Sequence, residues 1–276
     1  MSKKLWQPSL IEKQNSNLFA FENYISEKLN KKFNRNYKNL LNWSIKYSPD
    51  FWNKFWDFSK IKGTKSKQKF RKSKIFYKNL FLPGSKLNFG ENLLSKNNEE
   101  KAVTFISENG FREERSWRKL NLNTNKISKF LKKINIKKGD RVAAYMPNTI
   151  ETVEAFIATT SLGGIWSSCS PDFGSKGVIE RFSQINPKVL FITDQYFYNG
   201  KKINVLKRLP EILKSIPSIK IVVISSYPGK RFIKNKNKIK KINLFKWNKL
   251  MQTNSEKMNF KRFDFETELA ILYSSG

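Results

Sequence analysis

The alternation of strand-like apolar runs with helical segments, from residue 102 to residue 273, limits the possible folds of this chain more than any other feature. The strand-like runs cover residues 102–106, 141–146, 165–168, 189–192, 221–224 and 268–273. Segments with helical periodicity separate most of these runs. Such alternation is typical of βαβ units, whose crossovers are right-handed. The sequence therefore predicts an α/β fold with a doubly wound, mostly parallel sheet.

Local signals define where the predicted helices begin and end. Asn109-Gly110 is the usual dipeptide of a tight hairpin turn, and Ser116 after it can cap a helix. Gly163-Gly164 ends a second helix, and a basic surface loop is predicted at residues 230–241. The predicted helices cover residues 117–134, 150–162, 176–185 and 205–213.

The residues before this pattern predict a separate helical module. Residues 1–35 are polar, with a loose helix around Leu18 to Phe21, and are assigned to an extension. Ser48 is predicted to cap a helix that has Pro49 in its first turn. The two helices of the module are indicated by apolar residues at helical spacing: Tyr37, Leu40, Leu41 and Ile45, then Phe51, Trp52, Phe55 and Trp56. The predicted domains are the extension (1–35), this module (36–95) and an incomplete nucleotide-binding domain (96–276).

Two residue types that many enzymes need are scarce or missing. Histidine is absent, which excludes Ser-His and Cys-His catalysis and histidine metal sites within these residues. The single cysteine, Cys169, cannot form an intramolecular disulfide and is interpreted as a packing residue. We predict neither a catalytic residue nor a metal ligand within this segment.

The net charge of +32 raises the question of nucleic-acid binding. The lysines are scattered along the whole chain, without a basic helix, a zinc-finger spacing or an RNA-recognition pattern. Lys, Asn, Ile and Phe are all abundant, as A/T-rich codon usage would produce. Composition is therefore the favoured interpretation, and no specific nucleic-acid partner is predicted.

The last residues indicate a phosphate-binding turn. An apolar run over residues 268–273 leads into Ser274, Ser275 and Gly276. Glycine allows backbone amides to approach an anion closely, and hydroxyl groups add donors. A polar turn after an ordinary strand would have the same pattern, so both interpretations remain open on these residues alone.

Longer motifs make the interpretation specific. They are Leu5-Trp6-Gln7-Pro8-Ser9, Leu82-Pro83-Gly84-Ser85-Lys86-Leu87-Asn88-Phe89-Gly90-Glu91-Asn92-Leu93-Leu94, Gly139-Asp140-Arg141-Val142-Ala143-Ala144-Tyr145-Met146-Pro147-Asn148 and Ile165-Trp166-Ser167-Ser168-Cys169-Ser170-Pro171-Asp172-Phe173-Gly174. With these motifs the chain resembles the adenylate-forming ligases, and within them the acetoacetyl-CoA synthetases, over nearly its whole length. The first core motif of that superfamily reads Ser-Ser-Gly-Thr-Thr-Gly, of which this chain has Ser274, Ser275 and Gly276.

The resemblance implies a reaction and its participants. ATP and acetoacetate would form an acyl-adenylate and pyrophosphate, and coenzyme A would then displace AMP to give acetoacetyl-CoA. The implied small molecules are ATP, Mg²⁺, acetoacetate and CoA, and the implied location is the cytoplasm. The rest of the phosphate loop and the C-terminal catalytic lysine would lie beyond Gly276. We therefore expect a segment cut at the phosphate loop and inactive by itself.

The resemblance also implies CoA contacts. In related acetyl-CoA synthetases, the segment that matches Pro171, Asp172 and Phe173 lies beside the CoA nucleotide, and the segment that includes Lys201 offers cations to its phosphates. Those relatives have two glycines in place of Pro171-Asp172, and arginine in place of Tyr198 and Lys201.

Three other functions stay open at this point. The chain could come from an acetate or propionate ligase, because the residues that shape the acyl pocket lie mostly downstream. It could also be a non-catalytic remnant or binding fragment. The third function is a nucleic-acid-binding module, which retention on a polyanion at physiological salt would favour. The sequence predicts no oligomeric state.

Overall fold

The computed structural model describes residues 5–230, 242–254 and 258–274. The described residues form two compact units, which divide between Lys86 and Leu87. The sequence boundaries at 35/36 and 95/96 stay predictions. Among the described residues, no helix combines the length and the apolar character that crossing a membrane requires.

The first unit is mainly helical. Its elements are α1 (Leu10–Gln14), α2 (Asn17–Leu29), α3 (Tyr37–Lys46), α4 (Ser48–Phe58), β1 (Gly63–Thr64), β2 (Phe70–Arg71), a 3-10 turn (Phe76–Lys78), β3 (Leu80–Phe81) and, at the boundary, β4 (Lys86–Leu87). The predicted helices over 37–45 and 51–56 are confirmed as α3 and α4. In the turn after β3, Gly84 has a φ of +83°, a conformation that favours glycine.

An aromatic core holds this first unit together. Its buried members are Phe21, Ile25, Phe33, Leu40 and Trp43. The ring of Phe21 packs edge-on against the rings of Phe51, Phe55 and Phe58 on α4, at centroid distances of 5.7, 5.7 and 5.1 Å. Edge-to-face pairs of this kind are favourable beyond the area that they bury. The aromatic residues of α4 therefore contribute to packing within this unit.

The predicted cap of α4 is wrong by one residue. Ser48 is the first helical residue, and Tyr47 occupies the N-cap position without a side-chain cap. The Tyr47 amide donates to the Trp43 carbonyl at 2.8 Å, and its carbonyl accepts from the Phe51 amide at 2.9 Å. Because this one residue bonds to both α3 and α4, the second helix begins directly after it and no capping serine is needed.

The second unit contains the alternating elements. They are α5 (Phe89–Leu93), β5 (Lys101–Ile106), β6 (Arg112–Ser116), α6 (Trp117–Lys133), β7 (Arg141–Tyr145), α7 (Ile150–Ser161), β8 (Ile165–Cys169), α8 (Ser175–Ile185), β9 (Val189–Thr193), β10 (Gln195–Tyr198), β11 (Lys201–Asn204), a 3-10 turn (Val205–Arg208), α9 (Leu209–Ser215), β12 (Ile221–Ser225), β13 (Asn243–Lys246), α10 (Trp247–Met251) and β14 (Phe263–Asp264). The Ser116 cap is confirmed, because its side chain accepts from the Lys119 amide.

Five parallel strands form the central sheet in the order β13-β12-β9-β7-β8. From β7 the chain runs to β8 on one side, and it then returns to β9 on the other side. This reversal makes a topological switch point between β7 and β9, where α/β proteins commonly bind ligands at the carboxyl ends of strands. The predicted doubly wound α/β sheet is confirmed.

Each face of the sheet is covered by helices. Alternate strand residues such as Tyr145 and Ile192 pack against α8 and α9, which contribute Phe182 and Leu209 to the same core. On the other face, α6, α7 and α10 cover the strand residues between them, including Phe191. Strands that are buried on both faces read as continuous apolar runs, which is why the sequence identified them.

Two predicted elements differ from the structure. Residues 268–273 form a single bridge between Ala270 and Trp166 rather than a buried strand, and Leu272 is 82% exposed. Pairing with β8 stops there, and the Tyr273 hydroxyl instead donates to a carbonyl of α8. The predicted helix at 205–213 is a 3-10 turn followed by α9, because Pro210 favours a new helix start. Of the predicted basic loop, residues 231–241 lie outside the described residues.

Candidate functional site

The segment after β8 lies at the carboxyl edge of the sheet, beside the switch point. It includes the predicted CoA contacts Pro171, Asp172 and Phe173, of which Pro171 is buried while Asp172 and Phe173 are exposed. The hairpin of β10 and β11 follows β9 at the same edge, and it includes Lys201. The parallel register therefore brings the two predicted contact segments to neighbouring elements.

Arg208 and Tyr145 fix the path of this segment. The Arg208 Nη1 atom donates to the carbonyl oxygens of Pro171 at 2.8 Å and of Phe173 at 3.0 Å, and also to the Tyr145 hydroxyl. The Tyr145 hydroxyl in turn donates to the Phe173 carbonyl. Burial raises the pKa of Tyr145, so its hydroxyl keeps the proton that it donates. Two carbonyls two residues apart along the chain are thereby held by one pair of side chains.

Asp172 connects the segment to the hairpin. Its carboxylate accepts from the Ser170 hydroxyl at 2.9 Å. Burial and a hydrogen bond to the Asp172 carboxylate raise the pKa of Tyr196 to about 12, so that this phenol remains neutral and donates. The Tyr196 ring lies parallel to the Tyr198 ring within 12°, at 6.1 Å between centroids.

Lys201 lies directly opposite Tyr198 across the hairpin. The turn between them uses Asn199 and Gly200 with φ angles of +49° and +70°, as a tight hairpin requires. Opposite residues of an antiparallel pair project to the same face, so Lys201 shares a face with both tyrosine rings. Its ammonium group is exposed, and no ion pair to it occurs within the described ranges. A cation in this position can pair with a phosphate as a point charge.

An aromatic cleft of about 350 Å³ opens beside the hairpin. Phe105, Tyr198 and Tyr227 contribute to its walls, and Glu108 contributes a carboxylate. The Tyr227 ring packs against the Phe197 ring at 5.3 Å between centroids. Aromatic walls with a few polar groups accept planar ligands by stacking.

Only the start of the predicted phosphate loop can be described. Ser274 is exposed, whereas the predicted contacts Ser275 and Gly276 lie outside the described residues. Tyr273, which precedes the loop, packs partly against the core under α8. Among the described residues, no group of three His, Cys, Asp or Glu side chains is arranged to hold a metal ion.

Cys169 at the end of β8 is 4% exposed. Burial raises the pKa of its thiol to about 11, which makes it a poor nucleophile at neutral pH. The prediction that it is a packing residue is confirmed.

Sequence reasoning missed Arg208, Tyr145 and Tyr196. The contacts of Arg208 span between 35 and 63 residues of sequence, so no local pattern announces them. Tyr145 did carry a signal, since it places a hydroxyl at the carboxyl end of a buried strand, where binding segments begin.

Comparisons with known proteins identify the relatives of this chain. The family model described as AMP-binding enzyme matches residues 92–276. The acetoacetyl-CoA synthetase of Xenopus tropicalis is 35% identical over 100% of this chain and 42% of its own length. A malonamoyl-CoA synthetase of Penicillium aethiopicum is 31% identical over 91% of this chain and 36% of its own length.

A solved structure extends the likeness to three dimensions. The acetoacetyl-CoA synthetase from Streptomyces lividans superposes with a TM-score of 0.87 at 26% identity, over 100% of this chain and 42% of that chain. The chain thus spans less than half of the length of these relatives. Since the family model covers residues 92–276, which are more than half of the sequence, the chain belongs to the AMP-binding enzyme family.

Proposed function

We propose that this chain belongs to a protein that ligates acetoacetate to coenzyme A with ATP, through an acyl-adenylate, giving acetoacetyl-CoA, AMP and pyrophosphate. The observation that carries the proposal is the similarity of 100% of the chain to an acetoacetyl-CoA synthetase. Membership of the AMP-binding enzyme family supports the adenylate step. With ATP and CoA as substrates, the proposed location is the cytoplasm.

For the ATP end of the site, we propose Ser274, Ser275 and Gly276 as the first turn of the phosphate loop. In-line attack of a carboxylate on a phosphoryl group builds negative charge on its oxygens, and fixed donors stabilise that charge. Hydroxyl groups and backbone amides at this turn would be such donors. The proposal includes Mg²⁺, but because no group of three acidic, His or Cys side chains among the described residues is arranged to hold a metal ion, we assign it no ligand in this chain.

For the CoA end, we propose contacts from Pro171, Asp172, Phe173 and Lys201. Two observations support this assignment: the segment is fixed by Arg208, and the hairpin with Lys201 lies at the same edge of the sheet. A fixed backbone lets a ligand bind without first ordering the segment, which favours affinity. Lys201 would pair with a phosphate oxygen of CoA.

The test is thioester formation by the protein expressed from the complete reading frame. CoA thioester and AMP are measured with ATP and, in turn, acetoacetate, acetate, propionate and malonamate. We expect kcat/KM to be highest for acetoacetate by at least about tenfold, a ratio that corresponds to about 1.4 kcal/mol of differential transition-state binding. A preference for another acid would replace the proposed substrate. If no acid yields thioester, the chain is a binding fragment or remnant.

The 276-residue chain is the matched control. We expect it to form no thioester, because the remainder of the phosphate loop and the C-terminal lysine of the family would lie beyond Gly276. Turnover by this chain alone would contradict the assignment of catalysis to downstream residues.

A further inference from the structure

Arg181 on α8 contacts two aromatic rings from distant parts of the sequence. Its guanidinium carbon is 4.2 Å from the centroid of the Phe173 ring and 5.8 Å from the centroid of the Tyr273 ring. Both distances are within the range in which a cation is attracted to the face of an aromatic ring. Phe173 belongs to the segment proposed to contact CoA, and Tyr273 directly precedes Ser274 of the proposed phosphate loop.

Two further hydrogen bonds fix Arg181 and Tyr273 against α8. The Arg181 Nη1 atom donates to the Gly177 carbonyl one turn earlier on α8, at 2.9 Å. The Tyr273 hydroxyl donates to the backbone carbonyl of Arg181 itself. A side chain of Arg181 that moved away would therefore leave Phe173 without its cation, and it would leave Tyr273 with only the backbone bond.

The charge of Arg181 is not used in an ion pair within the described part of the chain. The geometry therefore supports ring contacts rather than a salt bridge for Arg181. The planar guanidinium can face a ring on each side, whereas an ammonium group is a compact point charge. Arginine is thus the residue type that fits a position in contact with two rings.

We propose that Arg181 is a positioning residue that links the CoA segment to the phosphate loop, by holding Phe173 and Tyr273 against α8. The naming of these two segments rests on the proposed function. The link itself rests on contacts within this chain. One residue would then set the position of both substrate-binding segments, so that disturbing it affects the binding of ATP and CoA together.

The unique thiol gives a test that needs no catalysis. Cys169 lies in the core that Tyr273 packs against, and it is 4% exposed. Because Tyr273 packs against this core, we expect a thiol reagent to reach Cys169 only when the Tyr273 segment moves aside. We expect Arg181→Met to speed labelling of the native chain about tenfold, which corresponds to about 1.4 kcal/mol of opening free energy, and Arg181→Lys to have a smaller effect.

Electrostatics cannot mimic this result. The Arg181 charge lowers the pKa of the Cys169 thiol, although burial is the larger influence and raises it. Removing the charge therefore reduces the thiolate fraction and slows labelling. Faster labelling must come from opening.

Arg141→Met is the matched control. Arg141 is also an arginine bonded to backbone carbonyls, at 2.7 Å to Ile185 and 3.1 Å to Gly139, but it lies at the amino end of β7. We expect this variant to change Cys169 labelling no more than its effect on urea unfolding accounts for. An equal acceleration in both variants would mean general destabilisation, and it would overturn the proposal.

The second readout is the kinetics of the protein expressed from the complete reading frame. Arg181→Met is expected to raise the KM values for ATP and for CoA together, each by at least about threefold. The KM values of Arg181→Lys should lie between those of the wild type and of Arg181→Met. Unchanged labelling, or an increase in only one KM, would refute the link. If that protein forms no thioester at all, the proposed function fails, while the labelling result still decides whether Arg181 holds the two segments.

Discussion

Glu154→Gln should make the stability of this chain less dependent on pH. Glu154 lies on α7 and is 0% exposed. One carboxylate oxygen forms an ion pair with Arg115 Nε at 3.0 Å and accepts a hydrogen bond from Asn123 Nδ2 at 2.8 Å. The other oxygen is buried without a hydrogen-bond partner among the described residues. The carboxylates of Glu113 and Glu151 share the same arginine, so the cluster has more acids than bases.

Burial raises the pKa of Glu154 from 4.5 to about 8 in the folded chain. A carboxyl group whose pKa is higher in the folded state favours folding below its unfolded value, and this contribution is lost as the pH rises towards the folded value. Between these two values, each pH unit removes about 1.4 kcal/mol. From pH 5 to pH 7 the loss is therefore on the order of 3 kcal/mol, and an amide at this position abolishes it.

The assay is urea unfolding of both proteins from pH 5 to pH 8. The absence of histidine leaves few other side chains that titrate in this range. Burial also raises the pKa of Glu151, but this group is present in both proteins and largely cancels in the comparison. Glu99→Gln, at an exposed carboxylate, is the control and should keep the wild-type slope. If the unfolding free energy of Glu154→Gln and of the wild type changed equally with pH, the raised pKa of Glu154 would be contradicted.

Two further predictions concern the carboxyl edge. Arg208→Met removes the donor to the Pro171 and Phe173 carbonyls. We expect it to lower the free energy of unfolding by about 2 kcal/mol and to raise KM for CoA. Lys207→Met, at the exposed neighbouring residue, is the control and should change neither quantity. Urea unfolding and CoA titrations of the rate decide this, and equal effects of both variants would contradict the clamp. Lys201→Ala should raise KM for CoA about threefold or more and leave KM for ATP unchanged, while Lys202→Ala, on the opposite face of the hairpin, is the control. An equal rise in KM for Lys202→Ala would indicate a nonspecific effect of positive charge and would contradict the proposed Lys201 contact.

The central strands were predictable because burial on both faces leaves a readable apolar run. Each of the strands β7, β8, β9 and β12 begins at the predicted residue and ends within one residue of the predicted end. The run at 268–273 has the same appearance, yet it forms only one bridge to Trp166. Apolar composition does not encode how far a neighbour extends, so the length of a ladder depends on tertiary contacts.

The candidate site was predictable only where a motif carries it. The Pro171 to Phe173 segment and Lys201 were identified through the resemblance, and their roles stay predictions. Arg208 contacts backbone carbonyls of that segment and Arg181 contacts the Phe173 ring. Neither contact requires a recognisable sequence motif. Contacts of this kind depend on the fold rather than on a spacing, and so they required the structure.

Under the proposed function, this chain is part of an enzyme that forms acetoacetyl-adenylate. Isotope exchange between pyrophosphate and ATP tests it most directly, because exchange requires the adenylate and no CoA. For the protein expressed from the complete reading frame, we predict exchange that depends on acetoacetate and falls to background without it. Exchange that is absent with acetoacetate, or that is faster with acetate or propionate, would contradict the proposed function.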